Sequence, residues 1–136
     1  MANALYDLAR QAFLSASPTI DWDTDTIKAS LVRSSAYTPN LATDQFISSV
    51  ATRVADSAAL SAKTVLAGVA DAADVTFTAV PAGAAVQYIV IWKDTTVAGT
   101  SPLIALIDTA TGLAVTPNGG DITIAWDAGA NKIFKL

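Results

Sequence analysis

Asp21, Asp23 and Asp25 form the one local acidic cluster in this chain. Their alternate spacing opens like an EF-hand loop, in which carboxylates at odd positions converge on Ca²⁺. Such a loop also needs Gly at its sixth position and a bidentate Glu at its twelfth. Thr26 and Val32 occupy those places, so the loop fails. A looser cation site survives as an expectation, because alternate residues on an extended strand face one side. The plainer alternative is a solvated strand entry or a capping turn. Other chemistry lacks parts. The chain has no His, no Cys and no Glu, which excludes thiol nucleophiles, disulfides, zinc centres and imidazole bases. No Ser-x-x-Lys motif occurs; Ser61 and Lys63 are close in sequence, but such pairs arise by chance. No two of the 12 Asp stand out as an acid and base pair, and the 7 glycines match neither a P-loop nor a dinucleotide fingerprint. Trp22, Trp92 and Trp126, with Tyr6, Tyr37 and Tyr88, would make a carbohydrate platform if exposed. Trp92 and Trp126 sit in apolar alternation, which favours core packing. No enzyme, catalytic residue or cofactor is expected.

Composition narrows the class further. With 136 residues, one domain over 1–136 is the default, and it is large enough to bury its own core. The chain is 52% hydrophobic and 15% charged, too apolar for disorder. Its formal charge of −4 argues against a surface built to hold phosphates. The longest apolar runs, such as residues 103–107, fall far short of the roughly 20 residues of a membrane-spanning helix. Asp7 and Arg10 interrupt the place where a signal peptide would be apolar.

The elements that must position any site follow from periodicity. Leu5, Leu8, Ala9, Ala12, Phe13 and Ala16 lie on one stripe, which predicts a helix over residues 3–16, capped by Asn3 and ended before Pro18. The period then changes to two. Ile27, Ala29 and Leu31 alternate with Lys28 and Ser30; Val75, Phe77 and Ala79 with Thr76 and Thr78; Ile122, Ile124 and Trp126 with Thr123 and Ala125. Each predicts a strand with one buried face. Residues 86–92 and 103–107 are apolar on both faces and predict central strands. Turn residues at 81–83, 109–112, 117–120 and 127–131 give the last third the spacing of a hairpin meander. Residues 34–62 are read as a long loop in which Thr43 caps a short helix through Phe46, Ile47 and Val50. The expected fold is mainly β: a single antiparallel β-sandwich of about seven to eight strands, jelly-roll or Ig-like, with one N-terminal helix.

Several stretches carry a resemblance. Residues 3–10 (Asn-Ala-Leu-Tyr-Asp-Leu-Ala-Arg) with Phe13-Leu14 open it. Residues 25–28, Leu31-Val32, 67–72 and 74–77 continue it, and the closing blocks 108–113, 116–123, Trp126-Asp127 and 129–136 complete it. Nearly the whole chain is covered, and it resembles a family of small tailed-bacteriophage virion proteins. Within such virions its size and β-rich character are similar to head decoration (cement) proteins. The resemblance implies a structural protein of the virion, assembled in the host bacterial cytoplasm. It would bind the assembled head, clamp neighbouring copies of the major capsid protein and act as a homo-oligomer, often a trimer. It carries no catalytic motif, and no contact with nucleic acid or membrane is expected. The N-terminal helix and C-terminal strand are the expected contact elements, through Leu5, Leu8, Phe13, Ile133, Phe134 and Leu136. A neck, tail or fibre-base component of the same virion, or a glycan-binding module, are the alternatives.

Overall fold

The computed structural model describes residues 3–110 and 113–136. Its centre is three antiparallel strands, β2 (Ile27–Val32), β7 (Tyr88–Lys93) and β8 (Leu103–Ile107), rich in the β-branched and aromatic residues that suit a pleated surface. β7 lies between the other two, with Leu31 opposite Ile89 and Ile91 opposite Ala105. Two short strands, β1 (Ala4–Leu5) and β3 (Ala55–Asp56), complete the sheet in the order β1-β8-β7-β2-β3. Two smaller antiparallel sheets accompany it. One joins β4 (Thr64–Leu66), β5 (Val69–Asp71) and β10 (Phe134–Lys135) in the order β10-β5-β4; the other pairs β6 (Val75–Phe77) with β9 (Ile122–Ile124). The helix α1 spans Asp7–Ser15 and buries Ala9 and Ala12. The protein is thus mainly β, antiparallel and one-helical among its described residues.

The doubly apolar runs became central strands as expected. Every residue of β8 is buried, as are the four inner residues of β7. β2 departs from the expectation of one buried face, because its polar residues are paired rather than solvated. Ser30 is buried, donates to Asp56 Oδ1 at 2.6 Å and accepts from Trp92 Nε1 at 2.8 Å. Lys28 pairs with Asp94 at 2.7 Å and lies over the Trp92 ring. A satisfied hydroxyl is tolerated where a bare one would cost about 1–3 kcal/mol.

The helix begins later than residue 3. Ala4 and Leu5 pair with Leu106 and Ala105 of β8, and Tyr6 donates its N–H to the Ile104 carbonyl. Asn3 caps no helix; its Oδ1 accepts from the backbone N–H groups of Asp108 and Thr109. Closing the edge of a buried strand outweighs one more helical turn, because an unpaired backbone group near the core is costly. The helix ends at Ala16, which is left-handed at φ 53°.

The hairpin meander is also corrected. β8 pairs with β1 and β7, β9 pairs with β6, and β10 returns to β5. The strand expected through Ala79 stops at Phe77, and Ala79 turns with φ 48° while its N–H donates to Asp121 Oδ1. Thr111 and Gly112, part of one expected turn, lie outside the described residues. In residues 34–62 a single 3₁₀ turn at Ile47–Ser49 replaces the expected helix, and no side chain caps it.

A phenol relay ties the start of α1 to the loop at 37–44. Tyr6, fully buried, shares a 2.9 Å hydroxyl contact with Tyr37, which donates to Asp44 Oδ2 at 2.6 Å. Burial raises both phenols above their ordinary value near 10, and for Tyr37 the Asp44 carboxylate adds to the rise. The native state therefore keeps protons that the unfolded chain releases, so this stability is present below pH 10 and lost above it. Denaturant melts should show stability falling above about pH 10, by up to about 1.4 kcal/mol per pH unit for each phenol. Tyr6→Phe should reduce that slope. A flat profile to pH 11 would contradict the relay.

Candidate functional site

The acidic cluster lies in a turn, not on a strand. The Asp25 N–H donates to the Asp21 carbonyl at 2.9 Å, and the Asp21 N–H donates to Asp25 Oδ2 at 2.8 Å. The Asp25 carboxylate also pairs with Lys93 at 2.9 Å. Lys63 donates to the Asp25 carbonyl oxygen. The exposed turn is the plainer of the two readings of the cluster, and Asp25 is spent on closing it and on an ammonium. Among the described residues no group of three or more acids is placed to hold a metal. Asp21 and Asp23 stay exposed and interact with each other; the hydrogen bond between them holds Asp21 below the usual carboxylate range and Asp23 above it.

The tryptophans make no platform. Trp22, Trp92 and Trp126 are all buried, and each indole N–H is satisfied, by Asp71 O, Ser30 Oγ and Ala73 O respectively. Tyr6 and Tyr37 are buried as well. The premise of a glycan-binding face, exposed aromatic rings, is not met by these five residues.

The expected contact residues divide. Leu5 and Ile133 are buried within the chain, and Leu8 is half-buried. Phe13 and Phe134 meet with ring centroids 6.1 Å apart, and Trp22 stands edge-on to Phe134 at 5.2 Å. The helix and the C-terminal strand thus converge on one aromatic cluster. Beside it opens a groove of about 380 Å³, walled by Phe13, Ile20, Trp22, Val65, Phe134 and Leu136, with Asp21 and Asp23 on its lip. No Lys or Arg lines it.

β4 borders this groove and was not visible from periodicity. All three of its residues are exposed, Val65 by 55% and Leu66 by 79%, and Leu136 across the groove by 59%. β4 pairs with β5 on one side and is an edge on the other. The hairpin that makes it turns on Ala67 and Gly68, at φ 52° and 77°. Two positive φ values are what a tight two-residue hairpin requires. Two short apolar runs separated by a dipeptide ending in Gly were the signal available in the sequence.

A second cleft of about 300 Å³ lies between β1, β8 and β10 and carries Arg10, Lys132 and Lys135 against Asp127. Its polar residues are partly committed, Arg10 to Asp7 at 2.7 Å and Lys132 to Asp71 at 4.0 Å. What the two clefts offer is recognition: an apolar trough with an acidic lip, and a polar cleft with an excess of cations. No protein-family model matches the chain, and no curated protein matches it at a significant level.

Gly68 holds the groove's floor to its C-terminal wall. Its carbonyl accepts the Leu136 N–H at 2.9 Å, and a Cβ at position 68 would approach the Leu136 carbonyl oxygen to 3.2 Å. Gly68→Ala should cost about 1–2 kcal/mol and speed amide exchange at Leu136. Ala67→Gly, which relieves a positive φ, should be neutral or stabilising by up to about 1 kcal/mol. Thermal melts with hydrogen exchange test both, and equal effects of the two changes would contradict the turn geometry.

Proposed function

We propose that this chain is a non-enzymatic structural protein of a tailed-bacteriophage virion, binding the assembled head as a decoration protein. In this reading the five-stranded sheet and the smaller sheets stack as the layers of a β-sandwich. The observation that carries the proposal is the uncovered β4 edge beside an apolar groove. A chain that functions by contact needs such a surface and needs no reacting group. Exposed apolar patches of this kind mark interaction sites. The resemblance of residues 3–14 and 108–136 to small virion proteins supplies the class of partner: the major capsid protein, with the chain itself as a homo-oligomer, a trimer in the favoured form. The second reading, a neck or tail component of the same virion, draws on the same surface and differs in copy number.

Quantifying the chain against the major capsid protein in purified particles separates these. Copies approaching the number of capsid subunits support decoration. A count close to the symmetry of a neck or tail ring moves the protein there, and absence from particles overturns the virion reading. Particles lacking the chain should melt at lower temperature, because many weak contacts to one state sum to appreciable stabilisation.

A further inference from the structure

β4 is the strand, among those described, with every residue exposed. Three of its features bear on what covers it. Its free edge carries unpaired backbone donors and acceptors, which an extended segment satisfies by adding as a further strand. Its Val65 lines a trough walled by apolar side chains, and Leu66, exposed by 79%, projects from the opposite face of the same strand. The lip carries two carboxylates, Asp21 and Asp23, that make no ion pair among the described residues; Lys93 is paired with the Asp25 carboxylate, and Lys63, whose charge reaches Asp23, is bonded to the Asp25 carbonyl oxygen.

A second copy of this chain related by a dyad answers the first two features but not the third. In an isologous contact each patch meets its own likeness, and a groove lined by no Lys or Arg brings no cation to the lip. With a formal charge of −4, self-association through this patch also sets acidic surfaces together.

We infer that the β4 edge and its groove bind an extended segment of another protein, one with alternating apolar side chains and a Lys or Arg near one end. The segment pairs with β4, its apolar side chains enter the trough beside Phe134 and Leu136, and its cation meets Asp21 and Asp23. This rests on the docking function proposed above and names the chemistry of the docked partner.

The test uses the full chain and two labelled synthetic peptides of alternating valine and threonine, one ending in two lysines and the other in two glutamates. Fluorescence anisotropy at low salt should show the lysine peptide binding about fivefold more tightly. Asp23→Asn, alone and combined with Asp21→Asn, should shrink that preference toward equality. Val65→Lys, a change at a half-exposed residue that lines the groove, should weaken both peptides. Failure of both peptides to bind, equal affinity for the two, or self-association that Val65→Lys abolishes, would overturn the inference. Copy number in particles is independent: abundant copies with no peptide binding sink strand addition alone. Peptide binding by a chain absent from particles sinks the virion reading and leaves the site standing.

Discussion

A sheet apolar on both faces must be covered on both, and that constraint organises this molecule. β2, β7 and β8 leave almost nothing of themselves to water: Ile27, Leu31, Ile89, Ile91, Ile104 and Leu106 are all fully buried. Each such side chain contributes about 1.5–3 kcal/mol when removed from water, so the three strands dominate the driving force. Their one helical cover is the nine-residue α1. It cannot cover two faces, and the remainder falls to short strands and irregular chain, through residues such as Ile47, Val50, Leu60, Phe77, Val80 and Ile124. Irregular chain brings backbone polar groups toward the core, and each needs a partner. That is why loop backbone groups recur as sheet partners: Leu60 donates to the Ile27 carbonyl and Ser57 to that of Ala29, while the Gln45 carbonyl accepts from Leu103 of β8.

The same constraint explains the lip of the groove. The end of β7 brings Lys93 to the edge of the sheet, where it takes the Asp25 carboxylate and the Thr19 carbonyl. This closes residues 19–25 into a tight turn and drives Trp22 inward, its indole N–H reaching Asp71 O on β5. With Trp22 pinned, Asp21 and Asp23 on either side of it are left facing water. One buried aromatic flanked by two exposed acids is the local consequence of a salt bridge to the central sheet. The register of that sheet is fixed in turn by Ser30, Trp92 and Asp56, whose bonds have no counterpart one residue out of step.

Which of this was legible in the sequence follows from the range of each interaction. β7 and β8 declare themselves, because burial on both faces writes a continuous apolar run that needs no knowledge of the partner. β2 reads as a strand with one wet face, since Lys28 and Ser30 look polar until Asp94, Asp56 and Trp92 are placed beside them. The helix is legible but its first turn is not, because Ala4 and Leu5 obey a helical period locally and a strand pairing about a hundred residues away overrides it. The meander failed for the same reason: turn chemistry reports that the chain reverses, not which strand receives it. The groove was half visible. Phe13, Phe134 and Leu136 stand out as apolar residues of the two terminal elements, whereas Val65 carries no periodic signal in a strand of three residues. For the aspartates the sequence leaves a strand entry and a turn both open, and the exposed turn is what forms; alternate spacing puts side chains on one side only where the backbone is extended.

The exposed edge also sets how strongly the site can act. Covering Val65, Leu66 and Leu136, each more than half exposed, gains on the order of 3–5 kcal/mol. Ordering and association cost about 4–15 kcal/mol, so one such contact is weak, and the strand's hydrogen bonds and the pairing at Asp21 and Asp23 must supply the rest of its affinity. Two circumstances change the balance. A partner segment already held in extended form has little ordering left to lose, and a surface that repeats the segment many times converts weak contacts into lasting attachment through effective concentration. A chain that kept a fully exposed apolar edge without such a partner would carry an aggregation hazard with no return. The weakness of the single site is therefore an argument about its setting. It suits a protein that meets its partner as one of many identical neighbours on a shared surface, and it does not suit a solitary receptor that must hold one ligand from dilute solution.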